Sequence, residues 1–187
     1  MRTSLVLTII GEDKPGIVEQ LSEQVLAAGG NWEESRMARL AGRFAGILRI
    51  SVERARADEL SARLKTFDPS LSVVIERSGE APQRAFRTLR IELLGNDHPG
   101  IVREISRVLA QQQVNIEELE TDVTSAPMSG ETLFRARARL QVPLSISLEW
   151  LTSRLEALAG ELMVDLTLED EQAVGTSDPR APARRDG

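Results

Sequence analysis

The sequence predicts an α+β protein built from two consecutive βαββαβ modules, and three observations carry this. Gly11-Glu-Asp-Lys-Pro-Gly-Ile-Val18 recurs 84 residues later as Gly95-Asn-Asp-His-Pro-Gly-Ile-Val102, with six of eight positions identical. The same offset carries Ser22 onto Ser106, and Asn31, Glu33 and Glu34 onto Asn115, Glu117 and Glu118, without a gap. In each copy, alternating apolar runs frame two stretches of helical period. Between the copies lies Ser78-Gly-Glu-Ala-Pro-Gln-Arg84, whose Gly, Pro and polar content reads as a linker. The modules are therefore expected over 1–78 and 86–170, with a linker at 79–85 and an apolar-poor, disordered tail at 171–187.

Each element has its own signal. Leu5, Leu7 and Ile9 alternate along a strand that Gly11 is expected to end. Asp13 is a good N-cap and Pro15 suits the first turn of the helix that follows. Ile17, Val18, Leu21, Val25 and Leu26 form its apolar stripe, which stops at Gly29-Gly30. Asn31 to Leu40, a turn at Ala41-Gly42-Arg43, and Phe44 to Glu53 read as a hairpin. Leu60, Leu64 and Phe67 mark a second helix over Ala57 to Phe67, stopped by Asp68-Pro69. Leu71 to Glu76 is the last strand. The second copy repeats the order: strand Phe86 to Leu94, helix Pro99 to Gln112, hairpin strands Val114 to Val123 and Thr132 to Val142, helix Ser147 to Ala159, strand Leu162 to Leu168. Strand, helix, strand, strand, helix, strand is the ferredoxin-like arrangement, with both helices on one face of an antiparallel sheet. The hairpin link 124–130 is longer than its counterpart around Gly42.

Composition narrows the chemistry. In 187 residues there is no cysteine and one histidine, His98, which excludes disulfides, thiolate nucleophiles and Cys/His metal clusters. Acidic residues outnumber basic ones, 29 to 23, for a net charge of −6, so the chain lacks the positive field that draws proteins to nucleic acid or anionic lipid. Aromatics are 3% of the chain, which disfavours base-stacking platforms. No apolar stretch approaches the roughly 18 residues of a membrane span, and the start of the chain has no signal-peptide pattern. A cytoplasmic protein that touches neither membrane nor nucleic acid directly is expected.

The repeated Gly-x-Asp-x-Pro-Gly-Ile-Val segment joins a strand to a helix start, where free backbone N–H groups can hold a carboxylate. Asp13 and Asp97 could cap the helix or bind the ammonium of an amino acid whose carboxylate rests on those amides, while Gly16 and Gly100 admit close approach. A plain capped turn is the commoner use of such residues. Asn31 and Asn115 offer an amide to a polar ligand or serve as turn residues. His98 is expected to face solvent. Glu33-Glu34 and Glu117-Glu118 are expected to point to opposite strand faces and so cannot work as acid and base. Arg135, Arg137 and Arg139 share one strand face, available to an anion or to neighbouring carboxylates. No nucleophile with a partner base, phosphate loop, metal cluster or cofactor motif is found, so no catalytic residue is named.

The Gly-x-Asp-x-Pro-Gly-Ile loop, with Val114-Asn115-Ile116 and the looser Gly30-Asn31-Trp32, resembles the ACT domain, a βαββαβ regulatory module. Two such modules without a catalytic domain resemble the glycine cleavage system transcriptional repressor family, whose long hairpin is similar to Ala126–Phe134. The resemblance covers about Thr3 to Leu168. It implies binding of a small amino acid such as glycine between paired modules, with Asp13, Gly16, Ile17 and Asn31, and Asp97, Gly100, Ile101 and Asn115, as binding positions. It further implies repression through a DNA-binding activator protein; exposed edge strands in a two-module chain point to side-by-side sheet pairing, within the chain or in a homo-oligomer. Trp32 departs from the pattern and could fill the first ligand space. The alternative is a ligand-independent tandem scaffold that regulates another protein or enzyme.

Overall fold

The computed structural model describes residues 1–79, 85–125 and 130–171. Most of the expected linker, the centre of the long hairpin link, and the tail beyond Glu171 lie outside the described residues. The chain divides into two compact units, Met1–Pro82 and Gln83–Gly187.

In the first unit β1 (Arg2–Glu12) leads to α1 (Ile17–Ala27), β2 (Asn31–Leu40), β3 (Arg43–Glu53), α2 (Ala57–Thr66) and β4 (Leu71–Ser78), with a 3-10 turn at Arg54–Arg56 before α2. The strands lie in the order β2-β3-β1-β4, every pair antiparallel. Leu5, Leu7 and Ile9 of β1, Leu48, Ile50 and Val52 of β3, Ile17, Leu21 and Val25 of α1, and Leu60 and Leu64 of α2 form one buried aliphatic core. Both helices therefore cover one sheet face, and burial of this core is the main stabilising term.

The second unit repeats the plan with β5 (Phe86–Asn96), α3 (Ile101–Gln111), β6 (Asn115–Ser125), β7 (Thr132–Pro143), α4 (Leu148–Leu162) and β8 (Val164–Asp170), in the order β6-β7-β5-β8. Its core joins Leu89, Ile91 and Leu93 to Ile101, Ile105 and Leu109 of α3 and to Leu151 and Leu155 of α4. Ser147 caps α4, its hydroxyl accepting from Trp150 N–H at 3.3 Å.

Several expectations are corrected. Gly11 does not end β1, which runs on to Glu12. A side chain there would meet Ser70 O at 2.6 Å, and at Gly95 it would meet Met163 O at 2.8 Å, so the first glycine of the motif lets the neighbouring strand pack tightly. Leu162 closes α4 rather than opening β8, with Met163 in the left-handed region at φ 53°. Glu171 is held rather than loose: its N–H reaches Thr88 O at 3.2 Å and its carboxylate meets Arg90 at 2.7 Å.

Candidate functional site

Asp13 and Pro15 both lie before the helix instead of opening it. α1 starts at Ile17 behind Gly16, whose φ of 92° lies where side chains are strained, and α3 starts behind Gly100 at φ 106°. Neither start carries a side-chain cap, so the first-turn N–H groups are left without a partner from a capping side chain. Asp13 does not cap because its carboxylate turns to Arg39 of β2, at 2.8 Å. The fourth loop position ties the loop down in both modules. Lys14 Nζ donates to Ser70 Oγ at 3.2 Å. Ser70 in turn donates its hydroxyl and N–H to Asp68, both at 2.7 Å, which holds the Asp68 carboxyl below its ordinary value of 3.8, with Lys14 adding a smaller effect. His98, expected in solvent, is partly buried, with Nε2 3.1 Å from the α4 carbonyl of Leu162.

Ile17 and Ile101 face the core, 5% and 2% exposed. They follow the loop glycines but point away from any ligand on the amides. Asn31 and Asn115 open β2 and β6 and are exposed. The structure does not bring them to the loop of their own module. Asp13 touches Arg39, and Asn31 lies eight residues back along the same strand, about 26 Å at 3.3 Å per residue. One small ligand cannot span that distance.

The paired glutamates do share a face, against the alternation rule. A bulge interrupts the register between Trp32 and Glu34 and again between Ile116 and Glu118. An inserted residue turns both carboxylates of a pair the same way. Glu33 and Glu34 flank Arg49 at 3.3 and 3.4 Å. Glu117 and Glu118 flank Arg139 at 3.6 and 4.0 Å. Arg139 Nε also lies 3.1 Å from Glu171 Oε2, without hydrogen-bond alignment. The arginine stripe is spent on such pairs, with Arg137 on Glu92 at 3.0 Å and Arg135 on Asp122 at 3.5 Å. The signal that could have exposed these clusters is the equal placing of Glu-Glu after each asparagine.

A second feature was invisible in the repeat. An apolar recess of about 20 Å³ opens between α3 and the sheet, lined among others by Ile105, Leu119, Phe134, Ala136 and Ala138. In the first module Leu48 holds the place of Ala138, each opposite the corresponding edge residue, Ser35 or Leu119. Among the described residues no group of three or more His, Cys, Asp or Glu could hold a metal ion, and no helix is long and apolar enough to cross a membrane.

The model of the ACT domain family matches residues 3–76 and 87–169. The chain is 25% identical over 178 residues to the glycine cleavage system transcriptional repressor of Escherichia coli K12, covering 90% of this chain and 94% of that one. A crystal structure of an unknown protein from Galdieria sulphuraria superposes with a TM-score of 0.83 at 31% identity, over 91% of this chain and 99% of the other. A second crystal structure, described as a candidate glycine cleavage system transcriptional repressor, gives a TM-score of 0.68 over 90% of this chain and 97% of the other. Its 22% identity makes that likeness one of fold alone. The matched residues take in both repeated loops and nearly every strand and helix above, and the chain belongs to the ACT domain family as a tandem of two such domains.

Proposed function

We propose that the chain is an amino-acid-responsive regulator of transcription that represses glycine cleavage genes by acting on a DNA-binding activator protein, with glycine as effector. The observation that carries this reading is the pair of glycine-started, uncapped helices at Ile17 and Ile101. An amino acid carboxylate is a fitting occupant for such amides. Homology with the E. coli repressor along nine-tenths of the chain supports a regulatory role and supplies the choice of glycine. Since Asp13 and Asn31 stand at opposite ends of one module, the effector is read as contacting a loop of one copy of the chain and an asparagine of a second copy, within an oligomer. Binding switches the protein only if the effector prefers one arrangement of modules over another. The net charge of −6 favours action through a protein over direct contact with DNA.

Calorimetry of the full chain with glycine tests this. Saturable heat with glycine, and none with a bulky amino acid such as phenylalanine, is expected. An absence of heat at millimolar glycine would sink the effector reading. One observation favours a ligand-independent scaffold instead: the Asp13–Arg39 ion pair already occupies the carboxylate meant for an ammonium group. On that reading, partner binding is the same with and without glycine.

A further inference from the structure

We propose that the helix-free face of the first module's sheet is a contact between two copies of this chain, packed sheet on sheet. The proposal goes beyond the effector site and does not depend on it. Leu5, Leu7 and Ile9 of β1 and Leu48 and Ile50 of β3 belong to the core beneath the helices. Alternation therefore turns Val6, Thr8 and Ile10, with Ala45 and Ile47, to the other side of the sheet. Ala38 of β2 lies beside Ala45, and Val74 of β4 beside Thr8. The result is an aliphatic patch across all four strands, with Ile10 and Ile47 each 48% exposed and Val74 55% exposed. Single exposed apolar residues need no explanation, but a contiguous patch rimmed by charge marks a contact surface. The second module shows that the fold does not require it. By register, Asp122, Arg135, Arg137, Glu92 and Arg90 stand where the first module has Ala38, Ala45, Ile47, Thr8 and Val6. Thr167 takes the place of Val74. There Arg137 and Glu92 form an ion pair at 3.0 Å.

The pattern fits a second copy of itself. A two-fold axis running along the strands, at the centre of the order β2-β3-β1-β4, lays β3 of one copy over β1 of the other. Each β3 side chain then meets, from the second copy, the residue it pairs with in its own sheet: Ile47 meets Thr8, and Ala45 meets Ile10. A large group faces a smaller one at both places, as interdigitating sheet faces require. At the rim β4 of one copy lies over β2 of the other, so Glu76 approaches the Glu34–Arg36 pair, closed at 3.3 Å. Arg36 then stands between two carboxylates, as Arg49 does between Glu33 and Glu34. Four strands about 4.8 Å apart and about eight residues long present about 500 Å² per copy. The pair therefore covers about 1,000 Å², where specific interfaces begin, and the dimer is expected to be weak.

Sedimentation velocity of the full chain over a micromolar concentration series is expected to show a monomer–dimer equilibrium. Thr8→Glu with Ile47→Arg copies the Glu92–Arg137 pair into the same register of the first module, and circular dichroism melting checks that the variant folds. It is expected to weaken the dimer roughly tenfold or more. A cross-link gives a reading independent of that variant. The native chain has no cysteine, so Thr8→Cys supplies a single thiol. In the two-fold dimer the two β1 backbones stand about 11 Å apart at this residue, and a short bismaleimide is expected to join them. Glu59→Cys, on the exposed side of α2 and so beyond the helix-covered face, is expected to stay unjoined. A monomer at every concentration, a dimer that the added charge pair leaves unchanged, or a cross-link through Glu59 in place of Thr8 would overturn the proposal. The first of these results would leave the face to a different protein. Glycine heat without a cross-link through Thr8 removes the face and leaves the effector; the cross-link without glycine heat does the reverse.

Discussion

Gly100 at φ 106° and Gln113 at φ 56° bracket α3, and both sit where an L side chain is strained. At Gly100 a Cβ would meet nothing within 4 Å, so the whole cost of Gly100→Ala is backbone strain, about 1–3 kcal/mol. Gln113 occupies the position that Gly29 fills after α1, at φ 67°. Gln113→Gly should therefore gain about 0.5–1 kcal/mol, strain relief less the larger chain entropy of glycine. Urea unfolding of the two variants checks both signs, and a stabilised Gly100→Ala would refute the account of the helix start. The helix start was only half legible in the sequence. Asp13 and Pro15 offered a good cap and first turn, but the cap residue is Gly16, and Asp13 is drawn off by an arginine 26 positions away in the chain. No local pattern carries that contact.

At the scale of elements, period was a reliable guide and its interruptions were not. β2 falls on the expected residues and β3 starts one residue early, at Arg43, because the turn at Gly42 and the alternation of Leu48, Ile50 and Val52 leave little freedom. The bulges after Trp32 and Ile116 stayed hidden, since a single inserted residue leaves composition and alternation nearly unchanged while turning Glu33 and Glu117 onto the arginine face. The recess beneath α3 is lined in part by Ala138, at a strand position where the first module has Leu48. Leu48, 1% exposed, should lose about 2–5 kcal/mol on change to Ala. Ala138→Leu adds three carbons beside a recess that takes only part of them and should cost about 1–3 kcal/mol, less than the loss at Leu48. Thermal melts that rank the two the other way would contradict the packing described for Leu48 and for the recess.

For the whole molecule, the repeat identified two modules and the acidic balance pointed to protein partners, but the distance between the candidate residues was not written in either. Each module sets Asp13 or Asp97 at one end of a helix and Asn31 or Asn115 beyond the other. The 11 residues of α1 or α3 alone span about 16 Å. An effector that uses both kinds of group cannot lie within one module. The direct measurement is a nitrogen-15 NMR titration of the full chain with glycine to millimolar concentration. The account predicts that amides at a helix start, Ile17 and Val18 or Ile101 and Val102, shift together with Asn31 or Asn115 along one saturation curve. Shifts confined to one end of a module, or none at all, would contradict it.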